Sequence, residues 1–83
     1  PLYSSAASDV YKRQDEKGIR NVDRVRAELM TVLRTGSLIR VNYAEVVDRE
    51  NMKPEKEIEL GRSMLVIAVW VDKIRLIDNI PLG

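Results

Sequence analysis

The sequence predicts an α+β fold: a small three-stranded antiparallel sheet packed against one main helix. Three observations lead there. Val22, Val25, Leu29, Val32 and Leu33 recur at spacings of three and four, which is one face of an α-helix. Three later stretches, Ile39–Asp48, Met64–Val71 and Ile74–Ile80, are rich in β-branched and aliphatic residues. The middle one is apolar at every second position and also at the positions between, the pattern of a central strand covered on both faces.

The first fourteen residues, PLYSSAASDVYKRQ, differ in character from the rest. They are rich in Ser and Ala and lead abruptly into a charged segment. Residues Ser4 to Gln14 match, codon for codon, the translation of a common transposase-type sequencing adapter. The chain is therefore expected to divide into 1–14, an adapter-derived stretch with no stable packing, and 15–83, the genuine domain. A helix can still form in 1–14, because the stretch contains tolerable helix formers. Its removal is expected to leave thermal stability unchanged.

Asn21 is placed to cap the helix, since its side-chain oxygen can accept from an unpaired N–H of the first turn. Arg24, Arg26, Glu28 and Arg34 occupy the other positions, and Gly36 is expected to stop the helix. In the first strand, strict alternation puts Ile39, Val41, Tyr43 and Val47 on one side and Ala44 and Val46 on the other. RENMKPEKE reads as a polar loop, with Met52 tucked back onto the core and Pro54 unable to donate at its own nitrogen. Trp70 lies within the most apolar strand and is read as core. Asp72 and Lys73 form a tight turn, where Asp tolerates positive φ. The last strand then places Ile74, Leu76, Asp78 and Ile80 on one side and Arg75, Ile77 and Asn79 on the other.

Composition removes several function classes. The 83 residues suit one small domain, and they contain no Cys and no His. Disulfide staples, thiolate metal sites and the commonest general base are therefore absent. Without Asp9, Lys12 and Arg13 of the first segment, the 14 basic and 13 acidic residues become equal in number. That balance argues against a nucleic-acid partner, which favours a basic face. The run Met64–Val71 is far shorter than the ~20 residues a membrane span needs, and no basic start is followed by an apolar signal segment. A cytoplasmic location fits the lack of Cys. Glu55, Glu57 and Glu59 sit in a lysine-containing stretch and read as solvated, and Asp48 and Glu50 flank Arg49 at a strand end, where a turn role fits. The glycines are isolated, so no phosphate-cradling loop is present. These residues supply no catalytic, cofactor-binding or metal site.

Three stretches in order carry a resemblance: Tyr-x-Glu-x-Val-Asp at Tyr43–Asp48, an apolar strand at Leu65–Trp70, and Arg-Leu-Ile-Asp-Asn at Arg75–Asn79. Together they resemble the C-terminal domain of the pantothenate synthetase (pantoate–β-alanine ligase) family. Asp72 stands where that family commonly has Gly, and Ile74 where it often has Thr or Ala; both are turn details. The family's His-rich ATP motif, its pantoate pocket and its Ser-Ser-Arg-Asn motif have no counterpart here. The resemblance implies a parent enzyme that uses ATP and Mg2+ to join pantoate and β-alanine through pantoyl adenylate, releasing AMP. It implies that residues 15–83 cover the active-site cavity of an N-terminal catalytic domain in the same polypeptide, and are inactive alone. No nucleic acid or membrane partner is implied. Arg75, Asp78 and Asn79, the polar members of an aliphatic strand, are the candidates for a structural or domain-contact role. A free-standing α+β interaction module is the alternative. An upstream reading frame carrying the His-rich motif would favour the ligase, and a stop codon just before Asp15 the module.

Overall fold

The computed structural model describes residues 2–34 and 38–83, so the helix stop expected at Gly36 lies outside the described residues. The elements follow the order α1 (Leu2–Glu16), α2 (Val22–Leu33), β1 (Ile39–Asp48), β2 (Ser63–Val71) and β3 (Ile74–Pro81). The sheet is antiparallel in the order β1-β2-β3, which puts the most apolar strand in the centre as its two-sided pattern predicts. The hairpin between β2 and β3 turns at Asp72, whose φ of 55° is the left-handed conformation expected there.

α2 begins as the sequence indicates. The Asn21 side chain accepts a hydrogen bond from the Arg24 N–H at 3.0 Å, and Val22, Val25, Leu29 and Leu33 are buried. Cross-strand partners share a face of the sheet. The register therefore places Leu65, Ile67 and Val69 of β2 beside Val46, Ala44 and Val41 of β1 and Ile80, Asp78 and Leu76 of β3. This face meets the helices, and Leu65, Ile67 and Val69 are completely buried in one cluster with Val25 and Leu29.

Strict alternation fails in β1. The register shifts between Val41 and Tyr43, leaving Asn42 as a bulge. The extra residue turns Ala44 and Val46 onto the same side as Ile39 and Val41, and Tyr43, Glu45 and Val47 onto the opposite side. Met52 does not return to the core; it is 50% exposed in a turn, with φ of 61°. The loop is anchored by Ile58 instead, which is 2% exposed and whose N–H donates to the Arg20 carbonyl at 2.8 Å. Leu82, beyond β3, is completely buried and exchanges backbone hydrogen bonds with Ser63 and Gly61.

The first segment departs most from expectation. Residues Leu2–Glu16 form a helix, and Ala7, Val10 and Tyr11 join the core cluster. Spacings of three and four make these residues a short apolar stripe, enough to bury one helix face. The fit leaves a defect, since the Tyr11 hydroxyl is buried with no hydrogen-bond partner. Burial pushes its pKa up to about 12, with Glu45 adding to the rise and Arg26 opposing it.

Two consequences can be measured. Deleting residues 1–14 should lower the urea midpoint, because it uncovers the surface that Val10 and Tyr11 cover, against the unchanged stability expected of an unpacked tail. Tyr11→Phe should raise stability by about 1 kcal/mol, since the orphaned hydroxyl disappears. The phenol favours the fold while neutral, so stability should fall as pH rises from the ordinary value of 10.0 towards about 12. The alkaline limb of a urea-midpoint titration should therefore flatten in Tyr11→Phe.

Candidate functional site

β3 is an edge strand, and its pleat separates the three polar candidates instead of gathering them. Arg75 and Asn79 lie on the face away from the helices, with Ile77 between them; Asp78 lies on the helix side. Arg75 reaches across the sheet to the bulge: its Nε and Nη2 donate to Asn42 Oδ1 at 3.1 and 2.8 Å. Its guanidinium also lies 5.9 Å from the centre of the Tyr43 ring. Arg75 therefore ties β3 to the bulge of β1, with β2 between them.

Asp78 is half-buried on the apolar side, and its Oδ1 accepts from the backbone N–H of Asn79 at 2.9 Å. A carboxylate in the middle of an aliphatic strand thus occupies a main-chain donor that would otherwise be open to another strand. Asp78 also borders an open groove against α1, with Ser8, Asp9 and Lys12 on the other wall. Asn79 is exposed.

A second polar cluster, not anticipated from sequence, closes the loop after β1. Asp48 Oδ2 accepts from Arg62 Nε at 2.6 Å, while Oδ1 accepts from the backbone N–H groups of Glu50 and Asn51. The turn role expected of Asp48 is present, and the Arg62 pairing comes with it. The hydrogen bond from Arg62 and those from the Glu50 and Asn51 amides hold the Asp48 carboxyl below its ordinary value. Beside it, the fully buried Ser63 hydroxyl donates to Glu55 Oε1 at 2.9 Å and accepts from the Glu59 N–H at 2.8 Å. Of the three glutamates read as solvated, Glu57 and Glu59 are exposed, but Glu55 is half-buried and bonded to Ser63. The signal available in sequence was local: Asp48 followed by Asn51 is a turn-forming pair, whereas its partner Arg62 stands across the loop.

A third link joins helix to sheet. Arg26, read as a solvent-facing position of α2, donates from Nε to the Ala44 carbonyl and from Nη2 to Glu45 Oε2, both at 2.7 Å. It also pairs with Asp23 at 3.2 Å. Trp70 differs from the core reading as well: it is half-exposed on the face without helices, directly between Arg40 and Arg75 across the strands. Among the described residues, no group of three His, Cys, Asp or Glu side chains is placed to hold a metal ion. No helix among them is long and apolar enough to cross a membrane.

Comparison with known proteins places these features in context. A family model described as pantoate-beta-alanine ligase matches residues 4–81. The chain is 38% identical over 66 residues to a pantothenate synthetase of Pseudothermotoga lettingae, covering 80% of this chain and 23% of that protein. It is 41% identical over 68 residues to the pantothenate synthetase of Thermosipho melanesiensis, covering 82% of this chain and 24% of the relative. With that of Clostridioides difficile it shares 38% identity over 69 residues, again 82% and 24%. The chain thus spans about a quarter of the length of the relatives it matches.

The loop cluster yields a test. Ser63→Ala should cost about 1–3 kcal/mol in urea unfolding, because it strands the Glu59 N–H and the Glu55 carboxylate together. Asp48→Asn should be less stable than the parent at neutral pH. A depressed carboxyl favours the fold above its unfolded value of 3.8 and loses that contribution as pH falls through the folded value. The two proteins should therefore converge in stability in strong acid.

Proposed function

The chain belongs to the pantoate–β-alanine ligase family, and on that premise we propose that residues 15–83 form the domain that covers the active-site cavity of such an enzyme. The observation that carries this reading is the family match over residues 4–81 in a folded unit whose polar groups build loops and strand contacts instead of converging on a reaction centre. In the proposed parent reaction, a pantoate carboxylate oxygen attacks the α-phosphorus of ATP, and pyrophosphate leaves. The β-alanine amine then attacks the acyl carbon of pantoyl adenylate, the acyl–oxygen bond to AMP breaks, and pantothenate forms. A cover contributes by keeping water from the acyl adenylate.

ATP and Mg2+ belong to the catalytic domain of the proposed parent, located in the cytoplasm. The described residues of this chain do not fit them. Gly18 and Gly61 stand singly in turns, and Arg20, Arg26 and Arg62 are each paired with a carboxylate in a separate part of the fold. No step of the reaction is assigned to these groups. Arg75, Asp78 and Asn79 act structurally in this reading, by fixing the terminal strand.

Calorimetric titration of the 83-residue chain with ATP and Mg2+ should give no saturable heat, and the chain should make no pantothenate. Tight stoichiometric binding would make it a nucleotide-binding domain and not a cover. In a polypeptide that includes the catalytic domain, Asp78→Ala should lower thermal stability or closure more than it lowers the rate of adenylate formation in single turnover.

A further inference from the structure

An antiparallel sheet with one face in water usually alternates apolar and polar residues. Along β2 the face away from the helices breaks this rule, while the outer strands bring Arg40, Glu45, Arg75 and Asn79 to it. β2 contributes Met64, Val66, Ala68 and Trp70 to it, none of them charged. Ala68 is completely buried between its cross-strand partners Tyr43 and Ile77, while Ile77 itself is 58% exposed. Trp70 lies half-exposed at one end of this surface, flanked by Arg40 and Arg75. Arg20, Arg26 and Arg62 each have a carboxylate within salt-bridge distance. Arg40 and Arg75 have none among the described residues, and Arg75 is held only by the neutral amide of Asn42 and the Tyr43 ring.

We propose that this face seats the domain on the remaining, larger part of the same polypeptide, with Trp70 as the anchor and Arg40 and Arg75 meeting carboxylates of that part. The inference rests on the covering role proposed above and names the face that performs it. Trp, Tyr and Arg are the side chains that concentrate binding energy at interfaces, and a guanidinium beside a carboxylate adds a directional bond. Length favours this occupant, since the chain spans 23% of the Pseudothermotoga lettingae relative. Two-fold pairing about Ala68 would set each Arg40–Trp70–Arg75 row against the other copy's Glu45–Val66–Asn79 row, so a second copy is the competing occupant that the test below separates.

Hydroxyl-radical footprinting tests this on the 83-residue chain and on a chimaera in which the chain replaces the segment it matches in the Pseudothermotoga lettingae protein. Trp70 and Met64 should be labelled in the free chain and lose that labelling in the chimaera, while the exposed loop residue Met52 stays labelled in both. Unchanged labelling of Trp70 in the chimaera overturns the proposal. So does labelling already lost in the free chain and recovered on dilution, which assigns the face to a second copy. Reversing both charges, Arg40→Glu with Arg75→Glu, should restore Trp70 labelling; continued protection overturns the carboxylate contact. If the chimaera does not fold, the remainder of that relative added in trans gives the same readout. Trp70 protection without pantothenate synthesis supports the docking face and counts against the covering role; synthesis with Trp70 fully labelled does the reverse.

Discussion

Every other element takes its position from β2. Its Leu65, Ile67 and Val69 are completely buried against the helices, and its backbone pairs with β1 on one side and β3 on the other. Because side chains alternate with a period of two, the register of this strand decides which residues of both neighbours reach the core. A chain this small buries a modest fraction of its surface, so the column of three aliphatic residues is a large share of what holds the fold together. The long-range links lie on this frame. Arg26 fixes α2 to the outer edge of β1, and Arg75 fixes β3 to the β1 bulge.

The polar groups divide their work by location. At the loop end of β1 and β2, Asp48 and Ser63 are buried, and each satisfies several loop donors and acceptors at once. Along the edges, Arg26 occupies the Ala44 carbonyl and Asp78 occupies the Asn79 N–H. These edge contacts use main-chain groups that an exposed strand would otherwise offer to a neighbour. These contacts occupy part of each edge, and the face bearing Trp70 carries apolar surface that the helices do not cover.

Much of this fold was legible from periodicity. The helix from Val22 to Leu33 and the strand from Ile39 to Asp48 match the sequence reading, because the helix has a strong amphipathic pattern, the strand is rich in β-branched residues, and both have local end signals, Asn21 and Asp48. β2 and β3 extend beyond the expected ranges by a single residue each, to Ser63 and to Pro81. What was not legible depended on contacts between distant residues. A bulge at Asn42 leaves no compositional trace, so strict alternation misplaced Ala44 and Val46. Trp70 was read as core because an apolar strand implies two covers, and the described residues supply one. The packing of Ala7, Val10 and Tyr11 was overlooked because the stripe is short and the surrounding residues are polar. Within the candidate site, the alternation of β3 was read correctly, yet the partners of Arg75 and Asp78, Asn42 and the Asn79 amide, were set by tertiary register and by an edge.

The bulge at Asn42 also constrains how sequences of this kind can diverge. A one-residue deletion there would remove the extra residue and leave a regular strand, with Ala44 and Val46 still facing the core and Tyr43 and Glu45 still facing away; what would be lost is the Asn42 amide that holds Arg75. A length change elsewhere in β1, with the bulge kept, would exchange the two faces for everything on one side of it. The bulge is therefore the point at which this strand can lose a residue singly, as the exposed loop around Met52 can.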